Sequence, residues 1–149
     1  MSNQVTKSII VNGEVPELYK TWSDFSNYPQ FMEHITSITP EGPDTHHWVM
    51  EAPFNTRLEW TTKATRLEPN QRIAWKTVEG DLKTSGQVTF TDLPQGQAEI
   101  TVTSQLIPPD DLFEKVALWL SENEEVQLEK DLRRFKALVE NRAEAHLHR

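Results

Sequence analysis

The sequence predicts an α+β fold, a curved antiparallel sheet of about seven strands closed on one face by a long C-terminal helix. Three observations predict it. Apolar residues alternate with period two through most of the stretch from Ile35 to Leu106. Short turn-forming breaks interrupt that alternation. Beyond Pro108-Pro109 the apolar spacing changes to three and four residues, the period of a helix.

The elements follow in chain order. Gln4 to Asn12 is rich in β-branched residues and reads as a first strand. Pro16 suits the first turn of a helix whose apolar side is Leu18, Tyr19 and Trp22. Ser23, Asp24, Ser26 and Asn27 are cap formers that open a second short helical piece through Phe31 and Met32. Six further strands are expected at Ile35–Thr39, His46–Ala52, Thr56–Leu67, Arg72–Val78, Thr84–Thr91 and Glu99–Leu106. The breaks between them, such as Gly42-Pro43-Asp44, Pro69-Asn70, Gly80-Asp81 and Pro94-Gln95-Gly96, are short enough for an antiparallel meander. Pro108-Pro109 ends the sheet, and Asp111 to about Glu144 is helical. One straight rod of that length would be about 50 Å long, against a globule about 35–40 Å across. A bend is therefore expected at Ser121-Glu122-Asn123-Glu124, which has capping-box spacing. The second piece carries Leu128, Leu132, Phe135 and Val139 as an apolar stripe.

Strand parity separates the two faces of the sheet. His46, Trp48 and Met50 share a face, as do Leu58, Trp60, Thr62 and Ala64, then Ile73, Trp75 and Thr77, then Gly86, Val88 and Phe90, then Ile100, Val102, Ser104 and Leu106. This face is apolar and carries three tryptophans; the other is charged and hydroxylated and meets water. Two readings of the inner face stand side by side. Either the rings fill a packed core, or they leave an apolar cavity with a few polar groups, the usual make-up of a small-molecule site.

Composition narrows the function. At 149 residues the chain suits one domain, 1–149, and can bury roughly 70% of the surface its unfolded form exposes. A net charge of −8 repels phosphate, which argues against a nucleic-acid partner. The absence of cysteine removes disulfides, thiolate metal sites and a cysteine nucleophile, and fits a cytoplasmic location. Met1 to Glu14 lacks the pattern of a signal peptide. No apolar run approaches the roughly 20 residues of a membrane span, so stable membrane insertion is not expected. Nothing in the sequence sets an oligomeric state.

Catalytic motifs are missing. His46 and His47 point to opposite faces, His34 stands alone, and His146 and His148 lie near the end, so no metal-ligand spacing arises. Glu51, Glu59 and Glu99 fall on the wet face, which leaves no acid/base pair inside. There is no GxSxG, P-loop or GxGxxG, and no cofactor is implied. His46 is the best acid/base candidate, inward beside Thr62 or Ser104; its alternative is a strand-end histidine at the solvent edge.

Phe25-Ser-Asn-Tyr-Pro-Gln-Phe-Met32, Arg72-Ile-Ala-Trp-Lys-Thr-Val-Glu-Gly80, Ser85-Gly-Gln-Val-Thr-Phe90 and Asp131-Leu-Arg-Arg-Phe-Lys136 resemble the bacterial cyclase/dehydrase branch of the START-like (SRPBCC) superfamily. The likeness runs in order from about Gln4 to Glu140. It implies a helix-grip fold, with two short helices after the first strand and the C-terminal helix across the concave face. It also implies a hydrophobic ligand such as a lipid, quinone or polyketide, and in some members cyclase activity. Fold alone does not fix the activity.

The expected ligand-binding side chains are Trp48, Met50, Trp60, Trp75 and Phe90 on the sheet and Trp119, Leu128 and Phe135 on the helix, with Phe31, Met32 and Phe54 at the mouth. No catalytic residue is assigned. Three functions follow: a hydrophobic-ligand carrier, a polyketide cyclase or dehydratase using the same cavity, and an interaction protein with a filled core.

Overall fold

The computed structural model of the chain describes residues 3–107 and 114–147. Pro108-Pro109, Asp111 and His148 lie outside the described residues. Strand β1 (Asn3–Asn12) leads into helix α1 (Val15–Ser23), then a 3-10 helix (Phe25–Gln30). Six strands follow: β2 (Ile35–Gly42), β3 (Thr45–Ala52), β4 (Thr56–Glu68), β5 (Arg72–Gly80), β6 (Lys83–Leu93) and β7 (Gln97–Ile107). Helix α2 spans Glu114–Leu147.

The local sequence explains the short helices. Pro16 occupies the first turn of α1, where its missing N–H leaves nothing unpaired. Val15, Leu18 and Trp22 fall on one side and are buried. The Asp24 carboxylate accepts hydrogen bonds from the Ser26 backbone N–H and from Ser26 Oγ, which caps the 3-10 turn. Tyr28 then donates its hydroxyl to the Trp22 carbonyl at 2.7 Å and ties the turn back onto α1.

All seven strands form one curved antiparallel sheet in the order β1-β7-β6-β5-β4-β3-β2. Only the β1–β7 pairing departs from the sequential meander, because α1 and the 3-10 helix carry the chain from one sheet edge to the other. Register shifts fall between Thr61 and Thr62 against β5 and between Ala64 and Arg66. Such bulges bend a strand and raise its twist.

Parity places Trp48, Leu58, Trp60, Thr62, Ile73, Val88, Ile100 and Val102 inside, and each is buried. The outer face is less uniformly wet than the pattern implies. Val49 and Thr61 lie on it yet are only 4% and 5% exposed. The His47 ring covers Thr61, with Nδ1 at 3.3 Å from its hydroxyl and Nε2 at 2.9 Å from Glu59 Oε1.

Helix α2 corrects one expectation. No break occurs at Ser121-Glu122-Asn123-Glu124; the helix is continuous over its 34 residues, about 51 Å at 1.5 Å per residue. The Asn123 side chain donates to the Trp119 carbonyl four residues back, so it follows the helix rather than capping a new one. Capping-box spacing also arises on any polar helical surface, and Glu122, Asn123 and Glu125 are exposed. Lys136 Nζ donates to the Ile10 carbonyl and the Asn12 N–H donates to Glu140, which fastens α2 along β1.

Gly80 ends β5 directly over Trp60 at φ 121°. A Cβ there would lie 2.3 Å from Trp60 Cα. The next residue locks onto β4 through both its backbone N–H and its carboxylate: Asp81 donates to the Glu59 carbonyl at 2.7 Å and accepts from the Glu59 N–H at 2.9 Å. Gly80→Ala is therefore expected to destabilise the fold by about 1–3 kcal/mol through combined strain and clash. Urea unfolding of the variant beside the parent checks this, and equal midpoints would refute it.

Candidate functional site

Between the concave sheet face and α2 lies a cavity of about 180 Å³, open to solvent on one side. Its floor is built from strand side chains whose positions parity dictates. Trp48 and Trp60 are cross-strand partners and stack at 5.8 Å with their planes 16° apart. Trp48 Nε1 donates to Thr62 Oγ1 at 2.8 Å, which satisfies both buried polar atoms and fixes the ring. Trp75 pairs with Gly86, and its ring lies over that glycine: an added Cβ would meet Trp75 Cζ2 at 2.7 Å. Gly86 thus gives the indole its seat. Met50, Val102, Ser104 and Leu106 complete the floor.

The roof is α2. Trp119, Leu120, Glu124, Leu128 and Leu132 line the cavity at helical spacing, with Asn123, Gln127 and Asp131 beside them. Trp22, Met32, His34 and Ile35 form the end wall. His34 meets the Trp119 ring edge-on at 4.9 Å, which joins wall to roof.

Of the expected binding residues, Trp48, Met50, Trp60, Trp75, Trp119 and Leu128 line this cavity, as does Met32. Phe90 and Phe135 do not. Phe90 packs edge-on against Tyr19 of α1 at 5.6 Å. Phe135 is fully buried between Trp22 and Phe31, at 4.9 and 5.2 Å, and belongs to the solid core. Phe31, expected at the mouth, is 1% exposed in that same cluster. Phe54 is 59% exposed in the β3–β4 turn, its ring 5.7 Å from Lys115 Nζ, and is not part of the lining. His46 faces inward but stacks on Phe25 at 4.5 Å, outside the cavity. Burial lowers its pKa and leaves Nδ1 without a partner.

Two carboxylates on the wall were not anticipated. Glu124 sits in the ridge Leu120-Glu124-Leu128-Leu132, where the spacing calls for an apolar residue. Burial pushes its carboxyl up to about 7, and Oε1 has no hydrogen-bond partner. Asp131 is also raised by burial, against Gln127, the Glu33 N–H and Arg134, which all favour its charged form. The contacts from Gln127 and Arg134, at 2.9 and 3.2 Å, lie within α2, and the one from the Glu33 N–H, at 3.4 Å, ties α2 to the segment before β2. Extending the stripe about two turns toward the N-terminus of α2, from Leu128 back to Leu120, would have exposed Glu124 in the sequence.

Sheet, covering helix and tryptophan-lined cavity define a helix-grip protein with an internal apolar site. Residues 11–122 match the family described as "Polyketide cyclase / dehydrase and lipid transport", and the chain belongs to that family. It is 31% identical over 142 residues, 95% of this chain and 93% of the other, to an uncharacterized 17.2 kDa protein from the melC2-rnhH intergenic region of Streptomyces lincolnensis. The crystal structure of DR_A0006 from Deinococcus radiodurans is similar at 27% identity and a TM-score of 0.73, over 91% of this chain and 95% of that one. The Zhui aromatase/cyclase from Streptomyces sp. R1128 superposes with a TM-score of 0.78 over 96% of both chains, at 16% identity, and shares the fold. Among the described residues, no helix is long and apolar enough to cross a membrane.

Glu124 carries a pH signature. Its pKa in the folded chain lies above the ordinary 4.5, so the folded state holds a proton that the unfolded state has released. Its contribution is most favourable below about pH 4.5 and is lost as pH rises to about 7. In Glu124→Gln that loss disappears, so the variant's stability relative to the parent rises across this interval and then levels. Chemical denaturation at several pH values checks it; a pH-independent difference would count against a buried Glu124.

Proposed function

We propose that this protein binds a small hydrophobic molecule in the cavity between sheet and α2. One observation carries the reading: three sheet tryptophans, Trp48 stacked on Trp60, and Trp119 from the helix all line one open space. Burying apolar ligand surface there yields roughly 25 cal/mol per Å² before ordering costs. A partly open cavity of about 180 Å³ takes a small ring system or a short acyl chain, and a longer molecule must extend out of it. Trp48, Met50, Trp60, Trp75, Trp119 and Leu128 are the proposed contacts, and family membership supports the reading at the level of hydrophobic ligands.

A second reading has its own support. A carboxyl with a pKa of about 7 on the wall, Glu124, is suited to proton transfer near neutrality. A cyclase or dehydratase that folds a flexible chain against the tryptophans would use such a group. The structural likeness to an aromatase/cyclase is a likeness of fold and does not decide between the two.

Native mass spectrometry of freshly purified protein, followed by organic extraction, tests the binding reading. A co-purifying apolar molecule is the expected result. Trp60→Ala is expected to weaken binding of a neutral naphthalene-based fluorescent probe and to destabilise the fold by about 3–5 kcal/mol. Trp75 is only partly buried, so Trp75→Ala should weaken the probe with a smaller loss of stability. Unchanged probe affinity in both folded variants would remove the tryptophans from the site.

A further inference from the structure

We propose that the cavity selects an uncharged ligand bearing a hydroxyl group, received by Glu124, and rejects the same framework when it ends in a carboxylate. This rests on the cavity being the ligand site. The argument starts from which polar wall atoms already have partners. Asn123 Nδ2 donates to the Trp119 carbonyl, and Gln127 Nε2 donates to Asp131 and Glu33. Asp131 further accepts from the Glu33 N–H and from Arg134. On the floor, the Thr84 hydroxyl is shared with that of Thr77 at 2.9 Å. Among the described residues, Glu124 Oε1 on the roof is buried and has no partner. A second wall residue is in the same position: Trp22 is 1% exposed, and its Nε1–H has no acceptor among the described residues.

These two groups call for a ligand that is not wholly apolar, since a buried polar atom left unpaired is unfavourable. Trp22 Nε1–H takes a neutral acceptor such as a carbonyl or ether oxygen, and Glu124 takes the donor.

Charge supplies the discrimination. Among the described residues the lining holds two carboxylates, no lysine or arginine, and one histidine, His34, whose Nε2 lies 3.9 Å from the Glu33 carboxylate. Arg134 is engaged with both Glu33 and Asp131. An anionic head group entering the cavity would lose its hydration next to carboxylates with no free cation to meet it, a repulsive element of the kind that sets specificity. A hydroxyl donates to the carboxylate instead, and hydrogen bonds to charged groups are the stronger kind.

The experiment uses three probes of one shape: naphthalene, 2-naphthol and 2-naphthoate, each titrated into the full chain at about pH 8, where a Glu124 carboxyl pushed up to about 7 is mostly ionised, with tryptophan fluorescence as the readout. The expected order is 2-naphthol about tenfold tighter than naphthalene and 2-naphthoate at least about tenfold weaker. In Glu124→Gln the naphthol-to-naphthoate ratio should collapse by about tenfold or more. Glu124→Leu, which completes the apolar ridge, should do the same if the glutamine variant folds poorly. Equal affinity for 2-naphthol and naphthalene, or 2-naphthoate binding as tightly as 2-naphthol, overturns the inference while leaving the carrier reading intact. No binding of any probe overturns both.

Discussion

The structure depends on a mismatch of widths. Seven strands about 4.8 Å apart span roughly 29 Å, whereas one helix with its side chains is about 10–12 Å wide. Helix α2 alone cannot seal the apolar face it lies across. At one end the shortfall is made up by α1, the 3-10 helix and the residue after it: Trp22 and Phe31 close against Phe135, with Tyr28 and Phe25 packed behind them. Elsewhere the remaining space is left to large side chains, and indoles standing on a bent sheet do not tile it. The cavity is what the covering layer cannot reach.

Two populations of aromatic residues result, and they do different things. The cluster around Trp22 is solid, with ring centroids at 4.9 to 5.4 Å and no gap between layers. It sets the height of α2 above the sheet. The second population, Trp48, Trp60, Trp75 and Trp119, is held in place from behind: by a hydrogen bond to Thr62, by stacking, by the Gly86 seat and by the edge of His34. A wall positioned from its outer side can stay open on its inner side, which is the pre-formed character of a small-molecule site. Trp22 belongs to both groups and marks where core becomes cavity.

Much of this was legible in the sequence because it follows from a period of two. The buried face comes from alternation in strands β3 to β7, which places Trp48, Met50, Trp60 and Trp75, and Leu128 comes from the helical stripe after them. Parity says which face a residue occupies and is silent on where along that face another layer lands. Phe90 and Phe135 face the same interior as Trp60 and Leu128, yet α1 and the 3-10 helix cover their end. The same blindness explains His46, whose inward position is filled by Phe25 stacked on it. Tertiary contacts between non-sequential elements decided these cases, and no local pattern encodes them. The unbroken α2 is a different lapse: capping-box spacing is a local signal, and continued packing along β1 overrode it.

Glu124 is the place where local and global demands part. In the ridge Leu120-Glu124-Leu128-Leu132 a leucine would extend the apolar stripe and leave no polar atom unpaired. The chain instead carries a carboxyl that burial holds near neutrality in pKa, at some loss of folded stability above that pH. Among the described residues beside it on α2, Asn123, Gln127 and Asp131 are each turned to a partner inside the protein. A side chain that weakens the fold and has no structural partner is where sequence-level consistency is expected to fail for the sake of function. The cavity's shape follows from its tryptophans and the width of its sheet. Its chemistry follows from this one substitution of a carboxyl into an apolar ridge.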